Sequence, residues 1–210
     1  MNDINLTDYI AKQKEKFDFI NTNIVNNDYI NKKIKEKKSL TKNIVIGKGM
    51  LYTTEPYQRE INGFKSGKVL KKIPKNSKDV NLYHFDENDN IIMIYKYGQS
   101  ENIINIDFID YTDNFYDVIS ISNSDNLRNI QTFFIKNKMI IKDINWGKYG
   151  CSLSIYSYNE NGVLINIKTE QKEHSSDNFS YFNIVFEYVD NVLNKITKVF
   201  PNGYKEVCYT

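Results

Sequence analysis

The sequence predicts a mainly β (α+β) protein: a long antiparallel meander forming a curved sheet or half-barrel, with one or two N-terminal helices packed on it. Three observations predict it. A twelve-residue phrase occurs twice, YHFDENDNIIMI at residues 83–94 and YSYNENGVLINI at residues 156–167. Weaker copies keep the beat, so hairpin-like stretches start at residues 83, 108, 132, 156 and 186. Ahead of them, the first forty residues carry apolar side chains at three- and four-residue steps, a helical period.

The helical segment spans residues 1–40. Asn5 and Thr7 are suited to cap its start, with Asp8 in the first turn. Leu6, Tyr9, Ile10, Phe17, Ile20 and Ile24 form one stripe, with Lys12, Lys14, Glu15 and Lys16 on the other side. A second helix is expected from about residue 28 to 38, with Ile30 and Ile34 inward and the chain's densest lysine run, Lys32, Lys33, Lys35, Lys37 and Lys38, outward. Residues 41–79 read as short strands (NIVIG, MLYTT), turns and a basic linker, KKIPKNSKD.

Residues 80–210 read as ten or eleven antiparallel strands, expected to be one continuous fold with residues 1–79. In the second phrase Tyr156 and Tyr158 lead into Asn159-Glu160-Asn161-Gly162, and Asn-Gly between apolar runs is a strong hairpin signal because both residues tolerate positive φ. In the first, residues 86–90 turn without glycine. A two-strand unit with its turns needs about 24 residues, which matches the spacing of the starts. Ile104, Ile106 and Phe108 alternate with Asn105 and Asp107, as in a sheet with one buried face. The run IIMIYKY is apolar on both faces and is expected to be covered on both, with the N-terminal helix as one cover.

The two phrases and, more loosely, FEYVDNVLNKI from Phe186 resemble the YD repeat, Tyr-x-Tyr-Asp-x-x-Gly-x-Leu-x-x-Ile, which builds the β-shell of large polymorphic toxins. Similar hairpins occur in small β-rich bacterial proteins, including immunity proteins encoded beside toxins. The two good copies cover 24 of 210 residues, too few for a toxin shell. The resemblance implies architecture and points toward an immunity protein.

Charge divides along the chain. Residues 1–79 carry 17 basic and 9 acidic side chains, residues 80–210 carry 11 and 17, and the whole is +2. A basic front and an acidic back suggest internal contact or a partner for each. The N-terminus has no apolar signal region and no stretch approaches the ~20 apolar residues of a spanning helix, so a cytoplasmic protein without membrane contact is expected. Two cysteines, Cys151 and Cys208, lack metal or redox spacing.

Apparent catalytic signatures fail on inspection. Asp86, Asn88 and Asn90 mimic a calcium loop, but Ile91 stands where Gly is needed and Tyr97 where Glu is needed. GFKSGKV at residues 63–69 has three residues between glycines where a phosphate loop needs four, and Val69 in place of Ser or Thr. His84 and His174 have no companion at ligand spacing, and a Cys151–His174 couple lacks a nucleophile elbow. No cofactor or metal is expected. Trp146, among Gly147, Tyr149 and Gly150, suits either a core anchor or a binding loop.

The expectation is a non-catalytic protein-binding module, an immunity protein neutralising a cognate bacterial toxin by surface occlusion. An acidic aromatic surface suits a basic active site, with Asp86, Glu87, Asp89, Asp113, Trp146, Tyr156, Tyr158 and Glu160 as contacts. Two alternatives stand beside it. One is a small-ligand carrier or enzyme using a half-barrel cavity. The other is a nucleic-acid binder through Lys32–Lys38 and Lys65–Lys78.

Overall fold

The structure, a computed structural model, describes residues 6–26, 28–98 and 102–210, with the side chains of Leu6, Thr7 and Asn26 also outside the description. Of the suggested caps, Asn5 lies outside the described residues, and Thr7 falls inside the first helix, its side chain not described. Two helices lead, α1 (Leu6–Asn26) and α2 (Tyr29–Leu40). Strand β1 (Asn43–Lys48) follows, then a short helix α3 (Gln58–Ile61) and β2 (Lys68–Leu70). The meander is β3 (Val80–Phe85), β4 (Ile91–Tyr97), β5 (Ile103–Tyr111), β6 (Phe115–Ser122), β7 (Leu127–Lys136) and β8 (Met139–Gly147). It continues through β9 (Gly150–Tyr158), β10 (Leu164–Glu173), β11 (Ser180–Val189), β12 (Val192–Val199) and β13 (Lys205–Tyr209).

Among the described residues these make one unclosed antiparallel sheet in the order β13 through β3 and then β1, β2. Each strand from β3 on pairs with its sequence neighbour, because every connection is a hairpin. The repeated phrase is one turn used repeatedly. In residues 86–90, 122–126, 159–163 and 200–204 the first amide bonds the fifth carbonyl, at 2.9–3.0 Å, and the fourth residue sits at positive φ. Gly162 (φ 75) and Gly203 (φ 82) fill that position without strain, whereas Asp89 (φ 60) and Asp125 (φ 54) fill it in the other two.

Both faces of the sheet are covered at its centre. On one, Ile20 and Ile24 of α1, with Tyr29, Ile30 and Ile34 of α2, pack on Met93, Tyr95, Phe108, Ile119 and Ile130. Each such side chain contributes ~1.5–3 kcal/mol when fully buried. On the other face, Tyr83, Ile94, Ile109, Tyr116 and Phe133 cluster around Leu51. A further cluster on that face gathers Tyr156, Ile167, Ile184, Phe186 and Ile196 around Tyr57 and Ile61.

The second cover is the chain between β1 and β2. MLYTT, which reads as a strand, leaves the sheet instead: Gly49 turns at φ 75, Met50 makes one bridge to Ser66, and Tyr57 adopts φ 54 before α3. Its apolar side chains fill the inner face. The Leu51 amide donates to the Tyr83 hydroxyl at 3.2 Å, the Tyr116 hydroxyl donates to the Thr54 carbonyl, and Tyr188 donates to Tyr57 at 3.2 Å. A Cβ placed on Gly63 would lie 3.9 Å from the Cys208 carbonyl of β13. In a flat sheet β3 and β13 would stand ten strand spacings apart, ~48 Å. The twelve residues from 51 to 63 reach ~42 Å fully stretched, and some are helical. The sheet therefore curls around this segment, with the long helices on its outer face.

Candidate functional site

Because the sheet is a meander, alternate turns gather at the same end. Glu87, Asp89, Asp113 and Glu160 thus share one rim and are exposed. Asp190 joins them in the turn between β11 and β12. Asp86 lies at the same rim but turns inward, accepting the Asn88 and Asn90 amides at 2.9 Å. Burial works to raise its carboxyl, and these hydrogen bonds outweigh it and hold it below its ordinary value.

The aromatic candidates sit elsewhere. Tyr156 is buried on the inner face, its hydroxyl donating to Asp143 Oδ2 at 2.9 Å. Tyr158 is half-buried and donates to the Ile140 carbonyl at 2.8 Å. Trp146 is at the opposite end from the acidic rim, its ring 4.4 Å from that of His174, whose Nε2 is 2.8 Å from the Gly147 carbonyl. Cys151 is buried, and burial raises its thiol against a smaller pull from Lys172. His84 is buried too, edge-on to Tyr95, and burial followed by the Lys38 charge lowers it to about 4. No group of three His, Cys, Asp or Glu side chains with metal-binding geometry occurs among the described residues.

Part of the basic front packs on the sheet. Lys16 pairs with Asp117; Lys33 and Lys37 pair with Asp110 at 2.9 and 2.6 Å. Lys37 is 4 % exposed and also donates to the Ile109 carbonyl at 2.7 Å. Lys32, Lys35 and Lys38 remain exposed.

Sequence reasoning missed two features of the inner face. The first is a carboxyl pair. Asp143, 2 % exposed, accepts Gln131 Nε2 at 3.0 Å as well as Tyr156. Glu55, on the segment filling the sheet, stands beside it and accepts Gln58 Nε2 at 3.2 Å. Burial, and after it the Asp143 charge, pushes Glu55 up to about 7. Burial raises Asp143 as well, against hydrogen bonds from Gln131, Tyr156 and Ser154. No motif marks this pair, since its members are 88 positions apart in the chain.

The second feature is a trough of about 720 Å³ at the end of the sheet opposite the acidic rim. Strand register explains its floor: Asn145 pairs with Ser152, Ser152 with Gln171, and Gln171 with Ser180. Four adjacent strands, β8 to β11, thus present a transverse row of amides and hydroxyls on one face. Each residue looks like an ordinary strand-end polar side chain in sequence, and only the register aligns them.

No family model, curated protein or solved structure matches the chain.

Proposed function

We propose that this chain is a non-catalytic binding protein and, within that class, an immunity protein that neutralises a cognate bacterial toxin by covering a basic surface on it. The acidic rim carries the reading. Hairpin stacking sets Glu87, Asp89, Asp113, Glu160 and Asp190 outward on one rim, where they outnumber the exposed Lys136 and Lys138 of the turn between β7 and β8, while Lys16, Lys33 and Lys37 are spent on Asp117 and Asp110 inside the fold. The rim thus keeps a negative field able to steer a basic partner. Cys151 is buried, and the His174 ring lies against Trp146.

The test is co-expression with the adjacent reading frame in a sensitive bacterial host. Rescue of growth by this chain, lost when Glu87, Asp89, Asp113 and Glu160 are all replaced by Lys, is the expected result. If the adjacent product is harmless, or if the four-lysine variant rescues as well as the parent, the reading fails. The half-barrel alternative draws on the trough: the curled sheet is filled by Leu51, Tyr57 and Ile61 along much of its inner face, and the open remainder is the place for a ligand.

A further inference from the structure

We propose that the trough binds a neutral, hydroxyl-rich chain, an oligosaccharide, laid across β8–β11. The site goes beyond the protein-binding reading and is independent of it, being at the other end of the sheet. Three observations carry it.

The floor is uncharged and able to both give and take hydrogen bonds. Amides and hydroxyls each offer donors and acceptors, which is the complement of a sugar hydroxyl. Ser152 and Gln171 have no side-chain hydrogen-bond partner among the described residues, while Asn145 accepts from Asn129 at 2.9 Å and keeps its own amide hydrogens for a ligand. Successive members of the row stand ~4.8 Å apart, the strand spacing, close to the length of one pyranose unit.

An exposed aromatic on an anchored backbone stands at the mouth. Tyr149 lies in the two-residue turn between β8 and β9 and is 76 % exposed. Its backbone is locked: the His174 amide donates to its carbonyl at 2.9 Å and the Lys148 amide to the Arg128 carbonyl at 2.9 Å. A Cβ on Gly150 would meet the Lys172 carbonyl at 2.5 Å, so only glycine lets β10 approach and hold the turn. An exposed ring on a backbone held this firmly offers a flat apolar face to the C–H face of a sugar. It is the exposed member of the Trp-Gly-Lys-Tyr-Gly stretch, Trp146 being packed on His174.

The charged groups stand at the lip, and the floor on which a ligand would lie is uncharged. Arg128 donates to Asn105 at 3.1 Å, Lys148 and Lys172 lie over the Tyr149 and Phe179 rings at 5.5 and 5.2 Å, and Glu173 shares the lip. An extended peptide gains its affinity from an open sheet edge, and the trough floor is mid-sheet, with β8–β11 paired on both sides. The volume falls within the ~300–1,000 Å³ of small-ligand sites, whereas the polar floor is unlike their usual apolar lining.

The test is an array of neutral oligosaccharides probed with the full chain, followed by calorimetric titration of the best trisaccharide. Micromolar-to-millimolar binding is expected. Tyr149→Ala and Gln171→Ala, both at exposed positions, should each weaken it about tenfold with unchanged melting temperature, and Glu160→Lys should leave it unaltered. No neutral glycan bound at millimolar concentration overturns the proposal. So does a glycan whose affinity survives Tyr149→Ala, or a panel in which single-stranded DNA or a peptide binds at the trough and glycans do not.

Discussion

At the scale of single residues, two buried ionisable groups pull stability in opposite directions with pH. Glu55 has its folded value raised from 4.5 to about 7. Between those values the folded chain holds a proton that the unfolded chain has released, so stability falls as pH rises through the window. His84 has its folded value lowered from 6.5 to about 4. There the unfolded chain holds the extra proton, so stability falls as pH falls. Each shift corresponds to at most about 3 kcal/mol. Over the shared span from pH 4.5 to 6.5 these two slopes offset one another, so the parent's melting temperature should vary less with pH than that of a variant lacking either group. Glu55→Gln should expose the histidine limb, with a melting temperature that climbs from pH 4 to 6.5 and then levels. His84→Phe should expose the other limb, declining from pH 4.5 to 7. Thermal melts of the three proteins across pH 4–8 check this, and parallel curves for all three would refute it. Residue chemistry of this kind was illegible in the sequence. Glu55 sat in a stretch read as strand and turn, and His84 read as an ordinary strand histidine, because burial is set by what the fold lays over them.

At the scale of elements, hairpin turns and helix faces were legible for the same reason: their signals are local. Asn159-Glu160-Asn161-Gly162 dictates its own turn, with Asn159 Oδ1 accepting the Asn161 and Val163 amides at 3.0 and 2.9 Å. Gly162→Ala, forced to φ 75, should cost about 1 kcal/mol, and Asp89→Gly in the sister turn should stabilise by a few tenths; chemical denaturation of both variants is the check. The lysine run on α2 shows where local reading stops. All five lysines look alike in sequence, yet Lys37 is anchored to Asp110 and Lys35 faces solvent. Burial works to raise the Asp110 carboxyl, and hydrogen bonds from Lys37 and Lys33 outweigh it and lower it. Asp110→Ala strands the buried Lys37 ammonium, and because Asp110 is partly exposed the cost should be about 1–3 kcal/mol. Lys37→Met removes the charge and keeps the stem, so it should cost less than Asp110→Ala, and Lys35→Met should be near neutral. Equal losses from Lys37→Met and Lys35→Met would show that the helix docks by apolar contact alone.

At the scale of the whole molecule, the sheet is close to one-dimensional, each strand bonding its neighbours. The mainly β class with leading helices followed from repeat spacing, and cover of Ile91–Tyr97 on both faces followed from its unbroken apolar run. Asp107 went the other way: it alternates like a solvent-facing residue but is buried, paired with Lys96 at 2.5 Å and with Ser120 at 2.9 Å. Alternation reports polarity, and only the second cover decides whether polarity is wet. That cover, residues 49–67, is also what ties the ends of the ladder together, since α1 and α2 pack on the centre. The far strands β11–β13 owe their docking to Tyr57, whose ring lies tilted against that of Phe186 at 5.1 Å and whose hydroxyl accepts from Tyr188. In a chain of nearest-neighbour interfaces, losing one remote tie loosens the end it held and little else. Tyr57→Ala should therefore raise native-state amide exchange in β11–β13 by about 2 kcal/mol of opening free energy, in keeping with its half-buried ring. Exchange in β4–β7, clamped by the helices, should stay as in the parent. A uniform rise across all strands would mean that the sheet opens as a single cooperative unit, with residues 49–67 contributing no separate clasp.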